Sequence, residues 1–166
     1  MAYRGKPEGV FVVGTRNDGS VWIMFFVTLL RRNEDDPGLV IEPTAEHIEA
    51  EIRNSGLVCK SWRIVNKSEV PNDEFYFSAL IDTGNALVHD MDKARAIHMD
   101  YIRSARAIKL TLLDIKWSRF AAQKKTAEAD AIEDERQALR DIPETLDLSQ
   151  AKTIEELKAI WPESLI

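Results

Sequence analysis

The chain has 166 residues, of which 45% are hydrophobic and 30% are charged, and its net charge is −6. This size suits one domain of ordinary length with a real core, and the hydrophobic content excludes an intrinsically disordered chain. The negative charge gives no support for non-specific binding to DNA, and the single cysteine, Cys59, excludes an internal disulfide.

The N-terminal half is predicted to consist mainly of strands and turns, because all seven glycines fall at or before Gly84. The apolar run 21–30 is too short to span a membrane as a helix, and its β-branched and aromatic residues favour a buried strand. Strands are predicted for residues 10–13, 21–28, 57–65, 75–81 and 86–88.

Turns, among them one at residues 70–73, and one helix complete this half. An Asp-Gly turn at residues 16–19 joins the first two strands, and a second turn lies at residues 82–85. A polar loop is expected over residues 31–38. A helix over residues 44–55 is predicted to begin at Thr44 as N-cap and to end with Gly56 as C-cap.

The C-terminal half is predicted to be helical from Asp90, which is expected to cap the first helix. Apolar residues then recur at steps of three or four, which predicts a seam packed against a partner helix or sheet. They are Ala94, Ile97, Tyr101, Ala105, Ile108, Leu112 and Ile115. A second helix is predicted for residues 126–140, stopping before Pro143, and a third for residues 154–160, opened by a capping box of Thr153 and Glu156.

Charge changes sign along this half. Residues 92–125 contain nine Lys/Arg and three Asp/Glu, for a net charge of +6, whereas residues 126–166 contain four and eleven, for a net charge of −7. A basic helix followed by an acidic one favours a hairpin whose helices attract each other. Neither glycine nor proline occurs between residues 120 and 129, so one continuous rod remains the alternative.

Eight apolar and aromatic residues of the helical half are predicted to form an interaction surface. Tryptophans that occur singly are typical anchors of cores and interfaces, and Trp161 is expected to dock the last helix onto the body or onto another subunit. The predicted interaction residues are Ile97, Tyr101, Ile108, Leu112, Ile115, Trp117, Phe120 and Trp161.

No residue pattern predicts a catalytic, cofactor or metal site. The motifs of dinucleotide, phosphate-loop, hydrolase and zinc-protease sites are missing from the sequence. His47, His89 and His98 are interpreted as surface or boundary residues, since ligands do not converge on them. The basic residues of the first long helix lack interleaved aromatics that would stack on bases, which disfavours nucleic acid.

Residues 66–162 resemble a module of small proteins encoded near the tail and tail-fibre genes of tailed phages, including the tail assembly chaperones. The resemblance lies in the order and spacing of MDKAR (91–95), LD (113–114), QALRD (137–141) and ELKAIWP (156–162). The chain departs from such modules at residues 121–129, AAQKKTAEA, where they often carry a glycine-containing link. The resemblance implies tail-related assembly or attachment and supplies no catalytic residues.

Together these observations predict an α+β protein: a small N-terminal antiparallel sheet with one helix (1–89), a long helical arm (90–142), and a C-terminal segment with a short helix (143–166). We expect a non-enzymatic phage structural protein that docks onto tail or tail-fibre subunits, forms a homo-oligomer and uses no cofactor or membrane. Its expected locations are the virion tail and, during assembly, the host cytoplasm. The alternative is a transient assembly chaperone, and a third interpretation is a DNA-contacting protein of the head-to-tail passage.

Overall fold

A computed structural model describes residues 9–27, 29–30, 40–41 and 43–166. The chain divides into two compact units, one reaching as far as His89 and the other running from Asp90 to Ile166. The predicted α+β class is confirmed, because a small antiparallel sheet is followed by two long helices and a short one. The predicted loop at 31–38 lies outside the described residues. None of the described helices combines the length and apolar character that a membrane crossing requires.

The described part of the first unit contains strands, one α-helix and two 3-10 segments. Their bounds are β1 Gly9–Thr15, β2 Val21–Val27, β3 Leu29–Leu30, β4 Val40–Ile41, α1 Ala45–Asn54, β5 Ser61–Val65, the 3-10 segments Lys67–Glu69 and Glu74–Ala79, β6 Leu80–Asp82 and β7 Leu87–His89.

The main sheet has the strand order β2-β1-β5, with both pairs antiparallel. Both faces of this sheet are covered. This explains why Val12 and Val13, which are adjacent in the chain and point to opposite faces, are both fully buried. Val12 packs with Trp22 and residues of α1, whereas Val13 packs with residues of β6 and β7. Gly14 pairs with Trp22 across the strands, and a methyl group at Gly14 would overlap the indole ring.

The predicted turns and caps of this unit are largely confirmed. Gly19 and Gly84 adopt positive φ, as glycine in a tight turn readily does. Thr44 caps α1 by accepting a hydrogen bond from the amide of His47 at 3.3 Å. The C-cap is Ser55 rather than Gly56, which follows it with a φ of 69°.

Two strand predictions need correction. Residues 75–79 belong to a 3-10 segment, because the Asp73 side chain accepts a hydrogen bond from the Phe75 amide and turns the chain there. Their aromatic content is typical of a buried strand, but Phe75 and Phe77 are exposed. The strand predicted for 57–65 begins only at Ser61.

The second unit is a helical hairpin with a C-terminal segment folded onto it. Its elements are α2 Met91–Ala122, α3 Thr126–Thr145, α4 Ile154–Ala159 and a 3-10 turn, Glu163–Leu165. Asp90 caps α2 as predicted, accepting hydrogen bonds from the amides of Asp92 and Lys93. Of the two arrangements left open by the sequence, the hairpin is confirmed.

A Schellman motif closes α2 without a glycine. The Lys125 amide bonds to the Phe120 carbonyl and the Lys124 amide bonds to the Ala121 carbonyl, both at 3.0 Å. Lys124 takes the left-handed position with a φ of 57°, where glycine is usual. A lysine in this position explains why the sequence did not reveal the turn.

The predicted end of the second helix is wrong. Pro143 lies inside the last turn of α3, where it leaves the Leu139 carbonyl without its usual amide donor. The helix nevertheless continues to Thr145, whose hydroxyl bonds to the Asp141 carbonyl at 3.0 Å. Further along, Thr153 caps α4 as predicted, whereas the Glu156 carboxylate bonds to the Lys152 amide rather than to that of Thr153.

Candidate interaction surface

One face of α2 is buried within the second unit. Ala94, His98 and Ile102 follow one another at steps of four residues, and each is at most 3% exposed. Ile102 and Leu113 pack with Leu139 and other residues of α3. This inner face, which shares Ala94 but no other buried residue with the seam predicted from the sequence, holds α2 to its neighbours in the hairpin.

His98 is part of this inner face, so its interpretation as a surface or boundary residue is wrong. Its Nε2 atom lies 2.9 Å from the Ile160 carbonyl oxygen, and its ring meets that of Trp161 edge-on at 5.8 Å between centroids. A polar ring can be buried here because a backbone carbonyl of the C-terminal segment satisfies it.

Cations of α2 hold the backbone of the segments folded against it. Arg95 donates to the carbonyls of Leu148 and Ala151 at 3.1 and 2.8 Å. Arg106 donates to the Arg140 carbonyl at 3.1 Å, and the Lys109 ammonium donates to that of Ser164. These three cations therefore act inside the unit.

The sequence predicted that a basic α2 would attract an acidic α3. In the ion pair observed between them, α3 supplies the cation and α2 supplies the carboxylate. Arg136 of acidic α3 binds Asp114 of basic α2, with 2.7 Å between nitrogen and oxygen. The guanidinium of Arg136 also lies 5.6 Å from the ring centre of Trp117. The bulk charges of the helices attract each other, but this local pair and the carbonyl contacts fix how they pack.

Three of the eight predicted interaction residues make contacts within the second unit. Trp161 is half-buried against the cluster that contains Ile102 and Leu139, and Phe120 is half-buried beneath the Lys125 ammonium at 5.8 Å. Trp117 is 38% exposed and carries Arg136 over its ring. Two roles were predicted for Trp161, docking of the last helix onto the body or onto another subunit. The structure shows the first.

Four of the remaining residues form an exposed strip along α2, called here the apolar stripe. They occur at helical spacing, and their exposed fractions are Tyr101 39%, Ile108 68%, Leu112 56% and Ile115 60%. Ile97 extends the stripe at its N-terminal end and is half-buried. These five residues of the predicted interaction surface therefore share one face of α2, and their role in docking stays a prediction.

Small residues border the apolar stripe. The Ser104 hydroxyl bonds to the Asp100 carbonyl at 2.8 Å, and the Thr111 hydroxyl bonds to the Ala107 carbonyl at 3.0 Å. Both hydroxyls are therefore satisfied within the helix, so covering them would leave no unmet donor. Another helix could approach α2 closely along this border.

The titratable groups do not form a reactive cluster beside the apolar stripe. In the described ranges, no group of three or more His, Cys, Asp or Glu side chains is placed to hold a metal ion. The most enclosed of the carboxyls with a shifted pKa is Asp82, in the first unit. Burial raises its pKa, but hydrogen bonds from Arg63 and the Gly84 amide outweigh that effect and hold the pKa below its usual value.

No protein-family model, curated protein or solved structure matches the chain.

Proposed function

We propose that this protein is a tail-associated structural protein of a tailed bacteriophage that docks onto tail or tail-fibre subunits through the apolar stripe of α2. One observation supports the docking step above all others. Ile108, Leu112 and Ile115 are each more than half exposed on one face of a helix whose neighbouring face is well packed. Contiguous exposed apolar patches are typical of protein interaction sites.

The tail context rests on a different observation, the resemblance of residues 66–162 to modules encoded near tail and tail-fibre genes. The composition of the apolar stripe is compatible with that context, because assembly proteins act by recognition rather than by chemistry. The runner-up proposal is a transient assembly chaperone, which would use the same surface and then leave the particle.

Substitutions in the apolar stripe provide the test of docking. Ile108→Ser combined with Leu112→Ser removes apolar surface that is already in water, so the free energy of unfolding should change by no more than about 0.5 kcal/mol. We expect this variant to fold normally and to be lost from purified phage particles. Ala107→Ser, at an exposed position of α2 that is not part of the apolar stripe, serves as the matched control and should be incorporated normally.

Mass spectrometry of the purified particles separates the two proposals. A structural subunit should be present at a fixed ratio to known tail proteins, and the double variant should abolish that band. Absence of the unmodified protein from infectious particles would instead favour the chaperone. Normal incorporation of a well-folded double variant would contradict docking through the apolar stripe.

A further inference from the structure

Four cations lie at the end of the apolar stripe that is nearest the hairpin turn. Lys116 follows Leu112 by four residues and Arg119 follows Ile115 by four, so these two cations continue the same side of α2. Two more cations, Lys124 and Lys125, lie in the turn itself. All four are exposed, and together they are called here the basic tip.

The basic tip lacks partners in the described part of the chain, apart from the contact of Lys125 with the Phe120 ring. No ion pair there joins any of the four cations to a carboxylate, although Glu128 and Asp130 follow in the first turns of α3. The dipole of α2 favours a cation in its last turn, which accounts for Arg119. It does not account for four cations grouped beside exposed isoleucine and leucine.

The shape of the apolar stripe suits a single helix. From Tyr101 to Ile115 it extends over fourteen residue steps, or about 21 Å at the rise of an α-helix. Tyr101, Ile108 and Ile115 recur every seven residues, which is the spacing of a helix–helix seam. The small residues Ser104 and Thr111 at its border permit close approach.

Charge disfavours a second copy of α2 as the occupant. Arg95, Arg106 and Lys109 bond to carbonyls inside the unit, but the exposed Lys116 and Arg119 beside the stripe would meet like charges if the same face of two copies paired in parallel. A partner with the opposite charge would gain from both the apolar contact and the basic tip. Its carboxylates would be attracted mainly by Lys116 and Arg119, which adjoin the stripe.

We propose that the segment bound by the apolar stripe is an acidic amphipathic helix of another protein, with Asp or Glu residues flanking its apolar seam next to the basic tip. This proposal rests on the proposed function for the use of the stripe and adds the chemistry of the partner. Recognition would combine a hydrophobic seam, which supplies affinity, with charge pairing at one end, which selects the partner and its direction.

Two synthetic helical peptides test this chemistry on the full-length protein. Both are about 20 residues long and share one leucine seam at heptad spacing, and they differ only in flanking Glu or flanking Lys. Fluorescence anisotropy at about 50 mM and about 300 mM salt measures their affinities. We expect the Glu peptide to bind at least about tenfold more tightly at low salt, and the difference to shrink at high salt.

Three double variants locate the effect. Lys116→Gln with Arg119→Gln should abolish most of the preference for the Glu peptide while leaving the leucine-dependent binding. Lys60→Gln with Lys67→Gln removes the same charge from exposed positions of the first unit and should retain the preference. Ile108→Ser with Leu112→Ser should abolish the binding of both peptides.

The outcomes distinguish this proposal from the proposed function. Equal binding of both peptides through the stripe would overturn the acidic partner and leave tail docking untouched. Binding of neither peptide, preference for the Lys peptide, or a dimer in sedimentation equilibrium that the double serine variant dissociates would also overturn it. Selective binding of the Glu peptide together with normal incorporation of the serine variant into particles would support the partner chemistry and contradict tail docking.

Discussion

Arg63 and Asp82 form the more enclosed of the two ion pairs in the described part of the first unit. The Arg63 Nε atom lies 3.1 Å from both carboxylate oxygens, and the Asp82 side chain is only 8% exposed. The same carboxylate accepts the Gly84 amide at 2.9 Å, so it ties strand β5 to the turn between β6 and β7. A bidentate pair that also fixes a turn contributes more than a solvated surface pair.

Asp82→Asn should lower the free energy of unfolding at pH 7 by about 1–2 kcal/mol, because it removes the charge that compensates the partly buried Arg63 guanidinium. The folded-state pKa of Asp82 is lowered, so its contribution is complete above the unfolded value of about 3.9 and is lost as pH falls through the folded value. Urea midpoints of both proteins should therefore converge below about pH 4.

The control for this prediction is Asp100→Asn. Asp100 pairs with Arg103 on the surface of α2, where its side chain is 71% exposed, so its loss should cost less than about 0.5 kcal/mol at any pH. A difference between the unmodified protein and Asp82→Asn that stays constant down to pH 3 would show that the carboxylate charge is not what stabilises the unit.

Single side chains also mark the limit of sequence reasoning. Asp90, Thr44 and Thr153 were predictable as caps because their chemistry is local. The burial of His98 was not, because its partner is the Ile160 carbonyl, 62 residues away, and any residue type supplies a carbonyl. Backbone carbonyls that bind Arg95 or Lys109 leave no trace in the sequence for the same reason.

Among the helices and strands, the turn after α2 gives the sharpest prediction. Lys124 occupies the left-handed position of a Schellman motif, which costs a residue with a Cβ atom about 1 kcal/mol. Lys124→Gly should therefore raise the free energy of unfolding by about 0.5–1 kcal/mol. Chemical denaturation followed by circular dichroism measures the change.

Gln123→Gly is the matched control, since Gln123 has a negative φ of −84° and gains nothing from glycine. It should be neutral or destabilising. If both substitutions destabilised the protein by similar amounts, the chain between α2 and α3 would be helical in solution, and the continuous rod would replace the hairpin.

The prediction of elements succeeded where short-range patterns decide the structure. β-Branched and aromatic runs and the Asp-Gly turn gave β1, β2 and their connection, and capping residues gave α1, α2 and α4. It failed at residues 75–79, where aromatic composition favoured a strand but the Asp73 hydrogen bond favoured a 3-10 turn. It also failed at Pro143, because a proline in the last turn removes only one hydrogen bond when the flanking contacts hold the helix.

The apolar residues of α2 illustrate a further limit. Their spacing predicted a seam at Ile97, Tyr101, Ile108, Leu112 and Ile115, but the second unit packs through the adjacent face instead. Periodicity identifies an apolar face without stating what covers it. Periodicity did not identify the inner face, because the polar residues His98, Arg106 and Lys109 interrupt its apolar pattern.

For the protein as a whole, the proposals connect two facts: a folded second unit with a well-packed inner face, and an adjacent face that leaves large apolar side chains in water. Surface of this kind is stabilised by association rather than by folding. The phage context depends on the resemblance of residues 66–162 alone, so a direct test has to identify the protein that covers the apolar stripe.

Photocrosslinking during infection provides that test. A benzophenone amino acid replaces Leu112 in the apolar stripe or, as the matched control, Ala107, which is exposed on α2 but is not part of the stripe. We predict an adduct with a tail or tail-fibre protein from position 112 and none from position 107. Adducts of equal yield from both positions, or none from position 112 in particles that contain the protein, would contradict docking through the apolar stripe.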